Sequence, residues 1–436
     1  MAFRLVLASL VVSALAAAGE PSAVAVGDAF PIAKSEKGNQ RAPAVCALDE
    51  NLYLVVWQEG WPGDGGTCVI RGSFVENGKP DGATVLLSDA QGIFEAPAIA
   101  AAKESRTFLV VWQHLKDEKQ YDVAGFFLDA KGKKVGKSVT IASGAHNELR
   151  PTVASNGKDF LIAWQEYSND EGRMTYRPVC ARVSAEGKVL DKPIKLSKSG
   201  GVPTACFNGQ DYVVVYGKGK ASYGKRVTTA GKLLDENGIK PSGLMGVLPS
   251  VASDGTDAMV VASAVPAPDP WGWGGPACVV AGRVTREGGN PERELNKKLG
   301  RDPVANGTVP NVLDHVTWRG RKGWPAGAPG GFRGTGNGMW PTTPAAVAYL
   351  GGDFVAVWPR AHIVGTAGLA NPDLYAVRFS AEPVKHLGDP VPVSTAEGGE
   401  TSPALASAKK GECLLVYESV AADGAVAIQA RVLKLK

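Results

Sequence analysis

The side chains with the most chemistry to offer are five histidines, a scatter of glutamates and ten tryptophans. Histidine beside a carboxylate is the usual acid–base partnership near neutral pH. Paired carboxylates cleave glycosides, and tryptophan beside a cation stacks on sugar rings or grips a protein. Glu59, Glu95, Glu148, Glu166 and Glu400 are acid–base candidates, but nothing in their linear spacing singles out a pair. No phosphate loop, dinucleotide fingerprint or nucleophile motif occurs, and no two cysteines have zinc-knuckle spacing. Whether these residues meet depends on the elements that carry them.

Those elements repeat. Pro151-Thr152-Val153-Ala154, a turn at Asn156-Gly157, and the apolar run Phe160 to Trp164 lead through a polar loop to Ala181-Arg182-Val183, a turn at Glu186-Gly187, and Lys192 to Leu196. Equivalent repeats start at Pro43, Pro97, Pro203, Pro249, Pro344 and Pro403. Four short β-type runs joined by tight turns predict a small antiparallel sheet, which must stack on its copies to bury both faces. Second runs such as Tyr53 to Trp57 and Phe108 to Trp112 are apolar throughout rather than alternating, as strands covered on both sides require. The expected fold is therefore all-β, a single seven-bladed β-propeller of four-stranded antiparallel blades. The Trp or Tyr closing most second runs is expected to pack between blades.

The chain ends complement each other. Residues 27–35 match the fourth strand of later repeats, notably Gly388 to Ser394, and lack three strands of their own. Pro403 to Lys436 supplies three strands and no fourth. The N-terminal strand is expected to complete the last blade and so remove an open sheet edge.

Residues 1–23 read as a signal peptide, with Arg4 ahead of an apolar core from Leu5 to Ala18 and small residues at the cleavage region. The propeller then occupies 24–436, in an exported protein that is extracellular or periplasmic and monomeric. No later apolar run approaches the ~20 residues of a membrane span. A net charge of +4, evenly spread, gives no case for nucleic acid. The six cysteines fall on non-neighbouring strands within their blades, which favours buried free thiols over disulfides. No metal or cofactor is expected.

The interval between Pro249 and Pro344 exceeds one repeat. Its first part reads as a degenerate blade, with Cys278 to Thr285 as third strand and Glu294 to Leu299 as fourth. The remainder, 301–343, lacks a second-strand run and reads as an insertion, which at that length is commonly functional.

The consensus, roughly P-x-V-A-x-x-G-x-x-Y-L-V-V-W-Q followed by A-R-V-x-x-x-G-K-V-L-D-x-x-P-I-x-L-S, resembles repeats of exported bacterial proteins of largely unassigned role. The resemblance covers nearly all of 24–436 and implies the propeller fold, not a chemistry. Sialidase boxes, WD40 and kelch signatures and Asp-rich calcium loops do not occur.

In such blades the second-to-third-strand loops and the blade-to-blade connections emerge on one face, here called the upper face. Trp61 lies in the first such loop and Trp271 and Trp273 in the fifth. The insertion adds Trp318, Trp324 and Trp340 with Arg319, Arg321 and Arg333. These side chains, with His315, are the candidate ligand contacts; the competing reading makes the tryptophans a miniature core that folds the loop down. His114, His146 and His362 map to the same face and His386 to the opposite one, on too many blades to converge without the insertion crossing the central opening. The functional expectation is a non-catalytic binding propeller for a glycan or extracellular protein. The alternative is a carbohydrate-active hydrolase or lyase at the central opening.

Overall fold

The second run of each repeat is rich in Val, Leu and aromatic residues, which suit a pleated surface buried on both sides. It forms the best-covered strand of its sheet: Val55, Val56 and Trp57 of blade 1, Leu161 to Trp164 of blade 3 and Val355 to Trp358 of blade 6 are all at most 1 % exposed. The computed structural model describes residues 24–436 apart from 35–38, 61–65, 117–119, 171, 220, 242–245, 265–277, 290–311, 316–344, 365–367, 382–383 and 395–398. The signal-peptide reading thus concerns residues outside those described. Every regular element among the described residues is a strand, and no helix among them is long and apolar enough to cross a membrane.

The strands form seven antiparallel sheets. Blade 3 is typical, with Asn147–Ser155, Phe160–Asp170, Arg173–Val183 and Ile194–Lys195 side by side in chain order. Blade 4 has three full strands, Pro203–Phe207, Asp211–Lys218 and Ala221–Thr228, and its fourth position is held by isolated bridges from Leu233 and Ile239. Each first strand touches the first strand of the next blade, around a closed circuit that returns from blade 7 to blade 1. The first strands are therefore innermost.

Seven apolar clusters lie between successive blades. Phe74, Phe108 and Trp112 join blades 1 and 2; Phe127, Phe160 and Trp164 join blades 2 and 3. The tryptophans and tyrosines that close the second strands thus pack between blades, where truncating a buried tryptophan to alanine costs about 3–5 kcal/mol. The seam between blades 4 and 5 is the thinnest, with Val213, Val215, Ala258, Val260 and Val284 as its buried residues. Polar contacts bridge it as well. Arg226 holds Asp235 through two nitrogens and also donates to the Arg286 carbonyl in the next blade. Arg286 in turn donates to the Gly255 carbonyl at 2.8 Å. Gly209 has φ +87°, and a Cβ on it would sit 2.2 Å from that same carbonyl, so glycine alone fits.

The arginine and aspartate of the repeat consensus gain a role from this arrangement. Arg182 grips Asp191 and reaches the Thr229 carbonyl of blade 4, as Arg226 reaches blade 5. Planar, forked guanidinium groups suit a clasp that binds a carboxylate and a neighbouring carbonyl together.

Closure is as expected. Val24–Val26 and Phe30–Pro31 pair with Val426–Leu435, the third strand of blade 7. Ile32 is buried with Tyr53 and Trp57 of blade 1 and Val416 and Ile428 of blade 7. Cys46, Cys68, Cys180, Cys206 and Cys413 are free thiols; burial pushes the Cys413 and Cys180 thiols up to about 12.

Blade 5 differs from expectation. Its outer position is held by Val312–His315, paired with Cys278–Val284 through Cys278–His315 and Val279–Asp314. The expected fourth strand, Glu294 to Leu299, lies outside the described residues. An outer strand needs only one paired edge, and the short run Val312-Leu313-Asp314-His315 suffices. Residues 290–311 therefore link the third strand to the fourth, and 316–344 link blade 5 to blade 6.

Removing residues 24–34 strips the outer strand from blade 7 and exposes the edge of Val426–Leu435. The truncated protein should melt several degrees lower and self-associate in sedimentation velocity; a wild-type melt with a monomeric profile would contradict closure by this strand.

Candidate functional site

On the upper face, the first strands of five blades carry the same irregularity. Ala42, Ala96, Arg150, Leu248 and Ser402, each preceding the proline that opens its repeat, have φ between 48° and 52°. The strand pairing shifts register at each of these points. Left-handed backbone is costly for a residue with a Cβ and persists only where its surroundings hold it. At three bulges the holding group is visible. Gln58 accepts a hydrogen bond from the Ala96 amide at 3.3 Å, Gln113 from the Arg150 amide at 2.7 Å and Glu418 from the Ala42 amide at 2.7 Å. Each acceptor follows the Trp or Tyr closing the preceding blade's second strand. The Gln of the W-Q consensus is thus a blade-to-blade tie.

The five candidate glutamates are mostly buried groups at strand ends. Glu59, Glu148, Glu166 and Glu400 are each at most 9 % exposed. The first and second strands extend up to this face and carry these carboxylates at their upper ends, where they find partners within the fold. Glu59 pairs with Arg71 at 3.1 Å and accepts from Trp57 Nε1 at 3.4 Å. Glu95 accepts from Gln113 Nε2 at 3.2 Å.

One row across blade 3 brings two carboxylates together. Glu148 lies directly opposite Glu166 in the strand pairing, and Glu166 directly opposite Arg177. Arg177 Nη1 is 3.0 Å from Glu166, while Trp164 Nε1 donates to Glu148. Burial, with repulsion from Glu166 and Asp122, pushes the Glu148 carboxyl up to about 7 against the pull of the Trp164 hydrogen bond. Two facing carboxyls, one with its pKa raised by burial, make an acid–base pattern. Here both are wedged between blades, one under an indole and one under a guanidinium.

The histidines lie on separate elements and connections, from blade 2 to blade 6. His114 stacks on Phe94 with ring centroids 5.8 Å apart, and burial, with Lys116, depresses its pKa against the influence of Asp122 and Asp89. His315 ends the outer strand of blade 5, His362 lies on the second strand of blade 6, and His386 on an outer strand of blade 6. Among the described residues no group of three His, Cys, Asp or Glu side chains could hold a metal ion. Trp61, Trp271, Trp273, Trp318, Arg319, Arg321, Trp324, Arg333 and Trp340 all lie outside the described residues.

What sequence reasoning missed is a cleft of about 690 Å³ between blades 3 and 4. Its blade 3 wall includes Thr175, Arg177, Lys195 and Lys198, and its blade 4 wall Tyr216, Lys218, Tyr223 and Lys225. All come from the upper ends of strands or the connection between the two blades. Tyr216 and Tyr223 stack at 6.4 Å. The lysines at every third position, Lys192, Lys195 and Lys198, with Lys218, are the signal that the sequence holds. Singly, each is no different in sequence from a solvated surface charge.

No protein-family model and no curated protein sequence matches the chain. Solved structures do. A protein of unknown function from Dyadobacter fermentans is 11% identical with a TM-score of 0.52, over 95% of this chain and 100% of that one. The GH93 α-L-arabinofuranosidase of Fusarium graminearum is 10% identical with a TM-score of 0.49, covering 95% of this chain and 98% of that one. The β-propeller domain of the Trilobed protease from Pyrococcus furiosus is 9% identical with a TM-score of 0.48, covering 91% and 94% respectively. At 11% identity the likeness to the Dyadobacter fermentans protein bears on the fold alone.

Two consequences are measurable. Replacing Gln113 by Leu leaves the Arg150 amide without its acceptor and should destabilise the fold by about 1–3 kcal/mol; an unchanged melt would show that the bulge needs no tie. For Glu148, the folded-state pKa lies above the unfolded one, so between about 4.5 and 7 the native state holds more protons than the unfolded state. Stability should fall as pH rises through that window and level off above it, by an amount on the order of 1–3 kcal/mol. Glu148→Gln should flatten this part of the melting-temperature profile; an equally steep profile in the variant would assign the dependence elsewhere.

Proposed function

We propose that this chain is an exported binding propeller without catalysis of its own, whose ligand sits on the upper face. The observation that carries this reading is the cleft between blades 3 and 4, an open concavity of ligand size lined by cations and tyrosines. Glu59, Glu166 and Glu418 on the same face are engaged in ion pairs or bulge ties within and between blades. Support for export comes from the leader-like residues 1–23 and from the resemblance to exported bacterial repeat proteins. Residues 316–344, with Trp318, Arg319, Arg321, Trp324, Arg333 and Trp340, belong to a blade-to-blade connection of that face, and we assign them as further ligand contacts together with Trp61, Trp271, Trp273 and His315.

One observation favours a hydrolase or lyase instead. Glu148 and Glu166 face each other in the strand pairing and the Glu148 carboxyl is pushed up to about 7, the kind of carboxyl pair that acid–base cleavage of a glycoside uses. Their burial under Trp164 and Arg177 is why binding takes first place.

The test is a calorimetric binding screen of residues 24–436 against neutral and acidic oligosaccharides, with chromatography of each mixture for products. Saturable binding without products is expected, and replacing 316–343 by a short Gly-Ser linker, which keeps Val312–His315, should weaken it about tenfold. Products that vanish in Glu148→Gln would establish the hydrolytic reading.

A further inference from the structure

The cleft between blades 3 and 4 has an electrostatic character that its overall composition does not explain. Its lining carries four lysines, Lys195, Lys198, Lys218 and Lys225, against one carboxylate, Glu236, while Arg177 is already neutralised by Glu166. Lys225 is only 7 % exposed. Its Nζ donates to the Glu236 carbonyl at 2.8 Å, one of the three hydrogen bonds that an ammonium can make. Burial and the nearby Lys218 both push the Lys225 pKa down, against the pull of Asp235 and Glu236. A buried ammonium facing like charge is destabilising unless something negative joins it.

Tyr223 holds the cations in place. Lys218 Nζ lies 5.9 Å and Lys240 Nζ 5.3 Å from its ring centroid, within reach of cation–π attraction. Neutral hydrogen-bonding groups complete the lining: Thr175, Ser197 and Asn237.

We propose that this cleft binds an acidic saccharide, with Lys225 and Lys218 receiving the carboxylate or sulfate group and Lys195 and Lys198 drawing it in from solvent. This rests on the binding reading above and narrows it to a ligand class. Compact ammonium groups, unlike forked guanidinium groups, suit either anion without demanding bidentate geometry. Hydroxyl and amide neighbours suit a ring bearing hydroxyls. Acidic peptides are gripped by clusters of arginine, and the arginine that lines this cleft, Arg177, is already paired with Glu166. Nor does the cleft offer an apolar anchor slot, since its one aliphatic lining residue, Leu196, is buried.

The experiment titrates residues 24–436 with an oligogalacturonide, a sulfated chondroitin disaccharide, cellotetraose and hexaglutamate, at low and high salt, and monitors each sugar for cleavage. Binding of the uronate or the sulfated sugar is expected, at least tenfold tighter than cellotetraose and weakened several-fold by high salt. Which of the two binds identifies the anion. Lys225→Met should lose about tenfold or more. The double variant Lys195→Gln with Lys198→Gln, at exposed positions that do not bear on folding, should lose about threefold to tenfold.

Cellotetraose binding as tightly, or acidic-sugar binding that both variants leave untouched, would overturn the assignment of the cleft while the binding reading stood. Tighter binding of hexaglutamate would overturn the saccharide class. Binding of none of the four probes would overturn the acidic-saccharide proposal. Cleavage of a bound sugar would overturn the non-catalytic reading itself.

Discussion

Each sheet in this protein is apolar on both faces, so no blade can be stable with a neighbour on one side only. That requirement governs everything else. A row of two-faced sheets leaves an uncovered face at each end, and the arrangement that leaves none is a ring. Here the circuit of first strands closes from blade 7 to blade 1, and the cluster around Ile32, Trp57 and Ile428 covers the last seam. The N-terminal strand pairs with the chain's final strand at that seam, so the ring is held by backbone hydrogen bonds as well as by apolar contact.

A ring of seven sheets must also fix the angle between neighbours, and the two faces do this with different chemistry. On the lower face arginine clasps reach from one blade to the carbonyls of the next, as Arg182 and Arg226 do. On the upper face the amide or carboxylate after the closing aromatic ties down a left-handed bulge in the next first strand, as Gln113 does for Arg150. Where apolar burial is least, between blades 4 and 5, the clasp is joined by the Gly209 contact with the Gly255 carbonyl. Directional hydrogen bonds set geometry that non-directional apolar packing leaves loose.

The same architecture explains why the upper face offers a cleft and few free acids. Carboxylates at the strand ends fall within the seams, where a buried charge must be paired or lose its ionisation. Glu59 and Glu166 take the first course and Glu148 the second. Blade 4 has a fourth position made only of isolated bridges, and it is beside this blade that the seam opens into a lysine-lined concavity.

The blade count, the strand order and the ring closure were legible in the chain alone, because they follow from local periodicity and from complementary ends. The double burial of Phe160 to Trp164 is written in a run with no polar residue. Turns such as Asn156-Gly157 mark the hairpins for an equally local reason. The outer strand of blade 5 was not legible, since Val312–His315 needs only one partner and carries little signal of its own. Nor was the candidate site. Lys195 and Lys225 are thirty residues apart and belong to different blades, and Glu148 meets Glu166 only through strand pairing. Local pattern decides which residues form strands. Which charges face one another depends on how two blades pack, and that distance in sequence leaves no local trace.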